Sequence, residues 1–133
     1  MTKYVITPEV ALRLVRDGDG AAPDGHHLLA PTLLRSQLLS LLYGEVRRGG
    51  LTRKEADRVL DRVRALHIRL LGDRVLQSTA WGIAERLGLP DTLGAEYLAL
   101  TRLQADALVT LDPELAKAAE GLVALAPFEE LTG

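Results

Sequence analysis

Asp112 and Thr7 stand at matching points of the chain. Each follows a short apolar run, Ala107-Leu108-Val109-Thr110 and Tyr4-Val5-Ile6, and each is followed directly by Pro-Glu. A polar residue at the carboxyl end of a strand, where a helix begins, sits where open parallel α/β sheets build their sites. An aspartate there can ligate a hard cation or act as a base. It can also do nothing more than cap the helix, since Asp and Thr before Pro are good N-terminal residues. If the two strands are neighbours, Thr7 and Asp112 face one crevice. His26-His27 is the other constellation with chemical potential. Adjacent strand residues point to opposite faces, so the pair is not expected to share a metal, and surface or partly buried histidines are expected.

The elements that must position these residues read as strands separated by helices. Tyr4-Val5-Ile6 is a strand; Thr7 caps a helix with Pro8 and Glu9 in its first turn, and Val10, Ala11, Leu14 and Val15 form its buried stripe. Asp17 to Gly25 is a turn-rich loop. His26 to Ala30 is a second strand, ended by Pro31. Thr32 caps a long amphipathic helix that turns Leu34, Leu38, Leu41, Leu42 and Val46 inward and stops at Gly49-Gly50. Thr52-Arg-Lys-Glu55 is a capping box opening the next helix, which buries Ala56, Val59, Leu60, Val63 and Leu66. Ile68 to Leu71 is a third strand. Asp73 caps a helix with Val75, Leu76, Ile83 and Leu87 inward, ended by Gly88. Leu93 to Leu103 is helix, Ala107 to Thr110 strand, Pro113 to Ala119 helix and Leu122 to Leu125 a last strand, followed by a tail from Phe128 to Gly133. This alternation predicts an α/β fold with a central parallel sheet of four to five short strands and helices on both faces.

With 133 residues, 47% apolar content and 26% charge, the chain reads as one globular domain, residues 1–133, with a sizeable core. The net charge of −2 gives no whole-protein basic field for nucleic acid. Thirteen of its sixteen basic residues are arginine, which makes better phosphate forks than lysine and keeps local RNA patches open. The chain has no cysteine, so disulfides, thiolate catalysis and thiolate metal sites are excluded. No apolar run approaches the ~20 residues of a membrane span, and the opening MTKYVIT lacks a signal-peptide layout. A cytoplasmic protein without membrane contact is expected.

Three segments carry a family resemblance. AEYLALTRLQADALVTLDPELAKAA, YVITPEVALRLV and APTLLRSQLLSLLYGEVRRGGLT resemble, in order along nearly the whole chain, the C-terminal signature, the opening strand and helix, and the second strand and helix of the PIN-domain family, within it the VapC-type toxins of toxin–antitoxin pairs. The resemblance implies a three-layer α/β/α fold and a metal-dependent ribonuclease whose four acidic positions hold one or two Mg²⁺ or Mn²⁺ ions. It also implies an antitoxin-like protein partner, RNA as target and a homodimer. The acid of the family's V-T-x-D pattern is kept as Asp112. The other three positions are occupied by Thr7, Gln37 and Gly94.

One carboxylate of four leaves little to hold a divalent ion, because even outer-shell changes cost about 10–100-fold in metal affinity or activity. The expectation is therefore a protein that binds RNA or a partner and cleaves little or not at all, with no metal cofactor. The alternative is an active Mg²⁺- or Mn²⁺-dependent endoribonuclease using Asp112 with displaced acids, for which Glu9 and Asp91 are the candidates; Glu96 and Glu114 lie near in sequence, but Glu96 should face away from Gly94. A third reading is a structural or regulatory subunit. Arg35 is expected near the crevice, where it could meet a phosphate. Arg47, Arg48, Arg53, Arg58 and Arg62 are interleaved with Glu55, Asp57 and Asp61, which reads as a solvated mixed-charge face. Trp81 and Tyr97 read as core or interface residues. A protein partner is expected to bind through apolar helix-in-groove contacts on the Thr32 to Arg48 helix.

Overall fold

The computed structural model describes residues 2–17 and 26–132. The loop expected at Asp17 to Gly25 therefore lies outside the described residues from position 18 on. Four parallel strands form one sheet in the order β3-β2-β1-β4, with β1 Thr2–Ile6, β2 His26–Pro31, β3 Arg69–Leu71 and β4 Ala107–Val109. Six α-helices flank it among the described residues: α1 Pro8–Asp17, α2 Leu33–Arg47, α3 Arg53–Arg64, α4 Arg74–Leu87, α5 Leu93–Gln104 and α6 Pro113–Ala119. The fold is three-layer α/β/α, as expected.

The central strand shows why the sheet forms. β1 pairs with β2 on one side and β4 on the other, and Val5 and Ile6 are fully buried. A strand covered on both faces must be apolar throughout, unlike the alternating strand of a half-wetted sheet. Leu108 and Val109 of β4 are equally buried. Each such side chain taken out of water contributes about 1.5–3 kcal/mol. α5 lies against β1, β2 and β4 and is buried along Ala95 and from Tyr97 to Thr101, with α4 packed on it, while α1, α2 and α3 pack on one another.

Local chemistry sets several boundaries. The Thr52–Glu55 capping box forms with both reciprocal hydrogen bonds. Asp73 accepts from the Leu76 N–H at 2.8 Å, and Gly88 ends α4 in the left-handed conformation that favours glycine.

Other expectations are corrected. Thr32 already has helical backbone angles and makes no side-chain cap, because its N–H is still paired to the Leu71 carbonyl of the neighbouring strand. Val75 and Leu87 face solvent, and Ala80 and Ala84 take their place beside Leu76 and Ile83. Trp81, expected in the core or at an interface, is 64% exposed, which excludes the core alone. The last strand shrinks to one parallel bridge, Leu108 to Leu125, because Gly121 turns the chain at positive φ and Pro127 follows at once. The end of the chain is not a loose tail: Phe128 to Leu131 form a 3₁₀ turn, Leu131 is buried, Arg13 stacks 4.2 Å over the Phe128 ring, and the Tyr4 hydroxyl donates to Glu130 at 2.8 Å.

Candidate functional site

The strand order places a switch point between β1 and β4. From β1 the chain builds outward through β2 to β3, then returns to put β4 on the other side of β1. The carboxyl ends of two such strands splay apart around a crevice, the usual place for a ligand in open α/β sheets. Thr7 leaves β1 there and Asp112 follows β4. The crevice measures about 330 Å³, and Thr7, Gln37, Gly94 and Asp112 all line it. Residues from four separate segments, β1–α1, α2, α5 and β4–α6, thus meet at one edge of the sheet.

Two of the four positions, Asp112 and Gln37, are held by side-chain hydrogen bonds. Asp112 has extended backbone angles and accepts from the Glu114 N–H at 3.0 Å, so it caps α6 while one carboxylate oxygen remains for other work. Thr7 caps α1 only through its carbonyl, which accepts from the Ala11 N–H at 3.0 Å. Its side chain is 3% exposed, and its hydroxyl has no hydrogen-bond partner. The side-chain cap expected of Thr7 is therefore absent. Gln37 accepts from the Tyr97 hydroxyl at 2.6 Å across 60 residues of sequence. Gly94 leaves room, since a Cβ added there meets only the Leu115 Cδ1 at 3.4 Å, an ordinary contact.

Two further groups complete the crevice. Tyr97 lines it, 3% exposed, and burial pushes its phenol well above the ordinary range, with the negative charges of Glu9 and Glu96 adding to the shift. Glu9 lines the crevice as well, so one of the acids considered as a replacement does reach it. Asp91 does not line it: its carboxylate accepts from the Leu93 N–H at 3.1 Å at the start of α5. Neither Glu96 nor Glu114 lines it. Glu96 is half-buried on the next turn, where desolvation raises its carboxyl above the usual range. Arg35 is corrected too. It lines a different cavity, of about 690 Å³ between α2 and α3, because its position on α2 is two residues away from Gln37 and so faces another side. Among the described residues no basic one lines the crevice.

The donor set can be tested against the cation that the family resemblance implies. It offers two carboxylates, Asp112 and Glu9, with the Gln37 oxygen already bonded to Tyr97 and no side chain at Gly94. Among the described residues no three acidic or histidine side chains gather into a metal-holding group. These residues do not fit a four-acid divalent cage. What the arrangement does offer is a narrow polar cleft with hydroxyl, amide and carboxylate groups and an apolar wall of Leu41 and Leu115.

Tyr97 and the α2–α3 cavity are what sequence reasoning missed at the site. A tyrosine seven residues ahead of a strand-entering Ala-Asp carries no sign of a partner on α2, and only the packed helices bring the two together.

Comparison with known proteins adds the fold alone. No protein-family model matches the chain, and no curated protein does. The crystal structure of PAE2754 from Pyrobaculum aerophilum is similar, with a TM-score of 0.74, 22% sequence identity, and coverage of 98% of this chain and 93% of that one. No helix among the described residues is long and apolar enough to cross a membrane.

Proposed function

We propose that this chain is a PIN-fold, VapC-like protein that works by binding a protein partner or RNA and cleaves RNA slowly or not at all. The observation that carries the reading is the make-up of the crevice at the β1–β4 switch point. The four positions that are acidic in the family it resembles come together there, and they present one carboxylate, one hydroxyl, one amide and one glycine. A divalent ion that must activate water and balance the charge of a phosphate in transit needs a closer-knit set of anionic oxygens.

Between the two classes of partner, the surfaces favour protein. Among the described residues the crevice has no basic group to meet a phosphate, and the arginine-rich α2–α3 region is threaded with acids. Arg53 pairs with Asp57, Arg64 with Asp61 at 2.7 Å and Arg48 with Glu45. The cavity between α2 and α3 is walled by Leu34, Leu38, Leu60, Val63 and Ile68, with Arg35, Arg64 and His67 also lining it and Leu39 59% exposed. A partner helix laid into such a groove gains affinity from apolar burial, which survives salt. The second reading, an active metal-dependent endoribonuclease, rests on Glu9, which stands beside Asp112 in the crevice.

One experiment separates the two. Structured RNA is incubated with the purified protein and Mn²⁺, beside an Asp112→Ala variant. The binding reading expects no cleavage above the variant's background. Cleavage that disappears with Asp112→Ala would replace it with the nuclease reading and would give Glu9 a catalytic part.

A further inference from the structure

The four strands are parallel, so their starts share the edge opposite the crevice, and that edge carries the reverse chemistry. Lys3 of β1 pairs in register with His27 of β2, and Leu29 of β2 with Arg69 of β3. Lys3, His26, His27, His67 and Arg69 line one cavity of about 310 Å³, floored by Leu66 and the leucines of β2. All three histidines of the chain are therefore gathered here, and no acid lines the cavity among the described residues. Among the described residues none of the five is held in an ion pair. Two acids flank this region: Asp106 accepts from the Lys3 backbone N–H and Glu130 from the Tyr4 hydroxyl, both at 2.8 Å.

Two features mark this edge, the second in the turn that ends α3. The His26 Nδ1 is buried with no hydrogen-bond partner, while its ring is held edge-on to Tyr4 at 5.2 Å. His67 has φ +54°, the one non-glycine in the left-handed region among the described residues. That conformation is unfavourable for a residue with a Cβ, and such strain persists where the surroundings over-determine it, as at ligand clamps.

The geometry points to a binding site in this cavity for a small phosphorylated molecule, with the phosphate held by Arg69, Lys3 and the imidazole N–H groups. Two fixed cations and several N–H donors around one space are the chemistry that recognises a phosphate, and a guanidinium fork adds bidentate geometry. The volume is that of a small-molecule cleft, and the leucine floor suits a ligand with an organic body behind its anionic end. A metal is the weaker occupant, since no three ligating side chains among the described residues converge. This site is independent of how the crevice at the other edge is read.

The test uses the full chain at fixed pH and ionic strength. Every histidine lines the cavity, so the imidazole signals in proton–carbon NMR spectra report on it, and since His67 also lines the α2–α3 cavity, the His26 and His27 signals separate this site from that groove. Pyrophosphate and AMP are titrated in separate arms. The expected result is saturable movement of the His26 and His67 signals, with affinity reduced about tenfold or more by Arg69→Gln, as for loss of one charged hydrogen-bonding partner. Arg58→Gln, on α3 away from the cavity, leaves the affinity unchanged. Tighter binding of AMP assigns the site to a ligand with an organic body, and equal or tighter binding of pyrophosphate assigns it to the phosphate groups alone. His67→Asn, which tolerates the left-handed backbone, provides a second variant and lowers the affinity without lowering the melting temperature. The proposal is overturned if neither phosphate moves the imidazole signals, if both variants bind as the parent does, or if only a polynucleotide moves them.

Discussion

The two edges of one parallel sheet differ in how their polar groups are used. At the carboxyl edge, Asp112, Gln37 and Tyr97 are tied into hydrogen bonds with the protein itself, and the acids left are Asp112 and Glu9. At the amino edge, Lys3, His26, His27, His67 and Arg69 line one cavity, with no acid among the described residues that line it. The sheet's topology makes the first edge the expected place for a site, yet the side chains there have largely turned inward to one another. The second edge has no topological reason to hold a ligand and keeps its polar groups unspent. The lesson is that a scaffold supplies a place, and the chemistry of a place depends on whether its side chains still have bonds to give.

The largest test of this contrast is to rebuild the carboxyl edge. The triple variant Thr7→Asp, Gln37→Glu, Gly94→Asp restores four acids, and the free space at Gly94 admits the third. Without metal it should be less stable than the parent, because like charges are crowded in a half-buried cleft. With Mn²⁺ at about 100 times its Kd it should regain about 2.7 kcal/mol, read as a rise in melting temperature that the parent protein does not show. A variant indifferent to Mn²⁺ would mean that the cleft fails for geometric reasons as well.

Two single changes probe the inward-turned groups. Tyr97→Phe removes the 2.6 Å bond to Gln37 and should lower unfolding stability by about 1 kcal/mol in urea titration. Thr7→Val removes a buried hydroxyl without a partner and should be neutral or stabilising by up to about 1 kcal/mol. If Thr7→Val is instead clearly destabilising, the hydroxyl is doing something that the contrast between the edges does not include.

The smallest effect concerns Glu96. Burial raises its carboxyl, so in the folded protein the charged form is disfavoured. The native state then holds its proton to higher pH than the unfolded chain does, and stability falls as pH rises from the unfolded pKa through the folded one. Glu96→Gln should therefore raise the melting temperature slightly at pH 7 and leave it unchanged at pH values below the ordinary glutamate range. A larger effect at low pH would reverse the sign and contradict the assignment of desolvation as the cause.

Much of this was legible in the residues. The apolar runs around Val5 and Leu108, the Pro-Glu helix starts, the Thr52–Glu55 box and the Gly88 stop are local signals, each with its own physics, and together they define the alternating α/β order. The meeting of Thr7, Gln37, Gly94 and Asp112 in one cleft was an expectation of the family resemblance combined with that order. What stayed hidden depends on direction rather than position. Arg35 and Gln37 are two residues apart on one helix and face different cavities. His26 and His27 read as an isolated pair until β1 and β3 bring Lys3, His67 and Arg69 beside them. The Phe128 turn looks like a polar tail in sequence and becomes core only because Arg13 and Tyr4 receive it. Such contacts join residues far apart in the chain, and no local pattern encodes them.

The central claim is that the carboxyl-edge crevice no longer holds a divalent ion, and calorimetric titration of the purified protein with Mn²⁺ tests it most directly. The account predicts no saturable heat at millimolar Mn²⁺, with the parent and Asp112→Ala indistinguishable. A saturable isotherm with one ion per chain, abolished by Asp112→Ala, would contradict it.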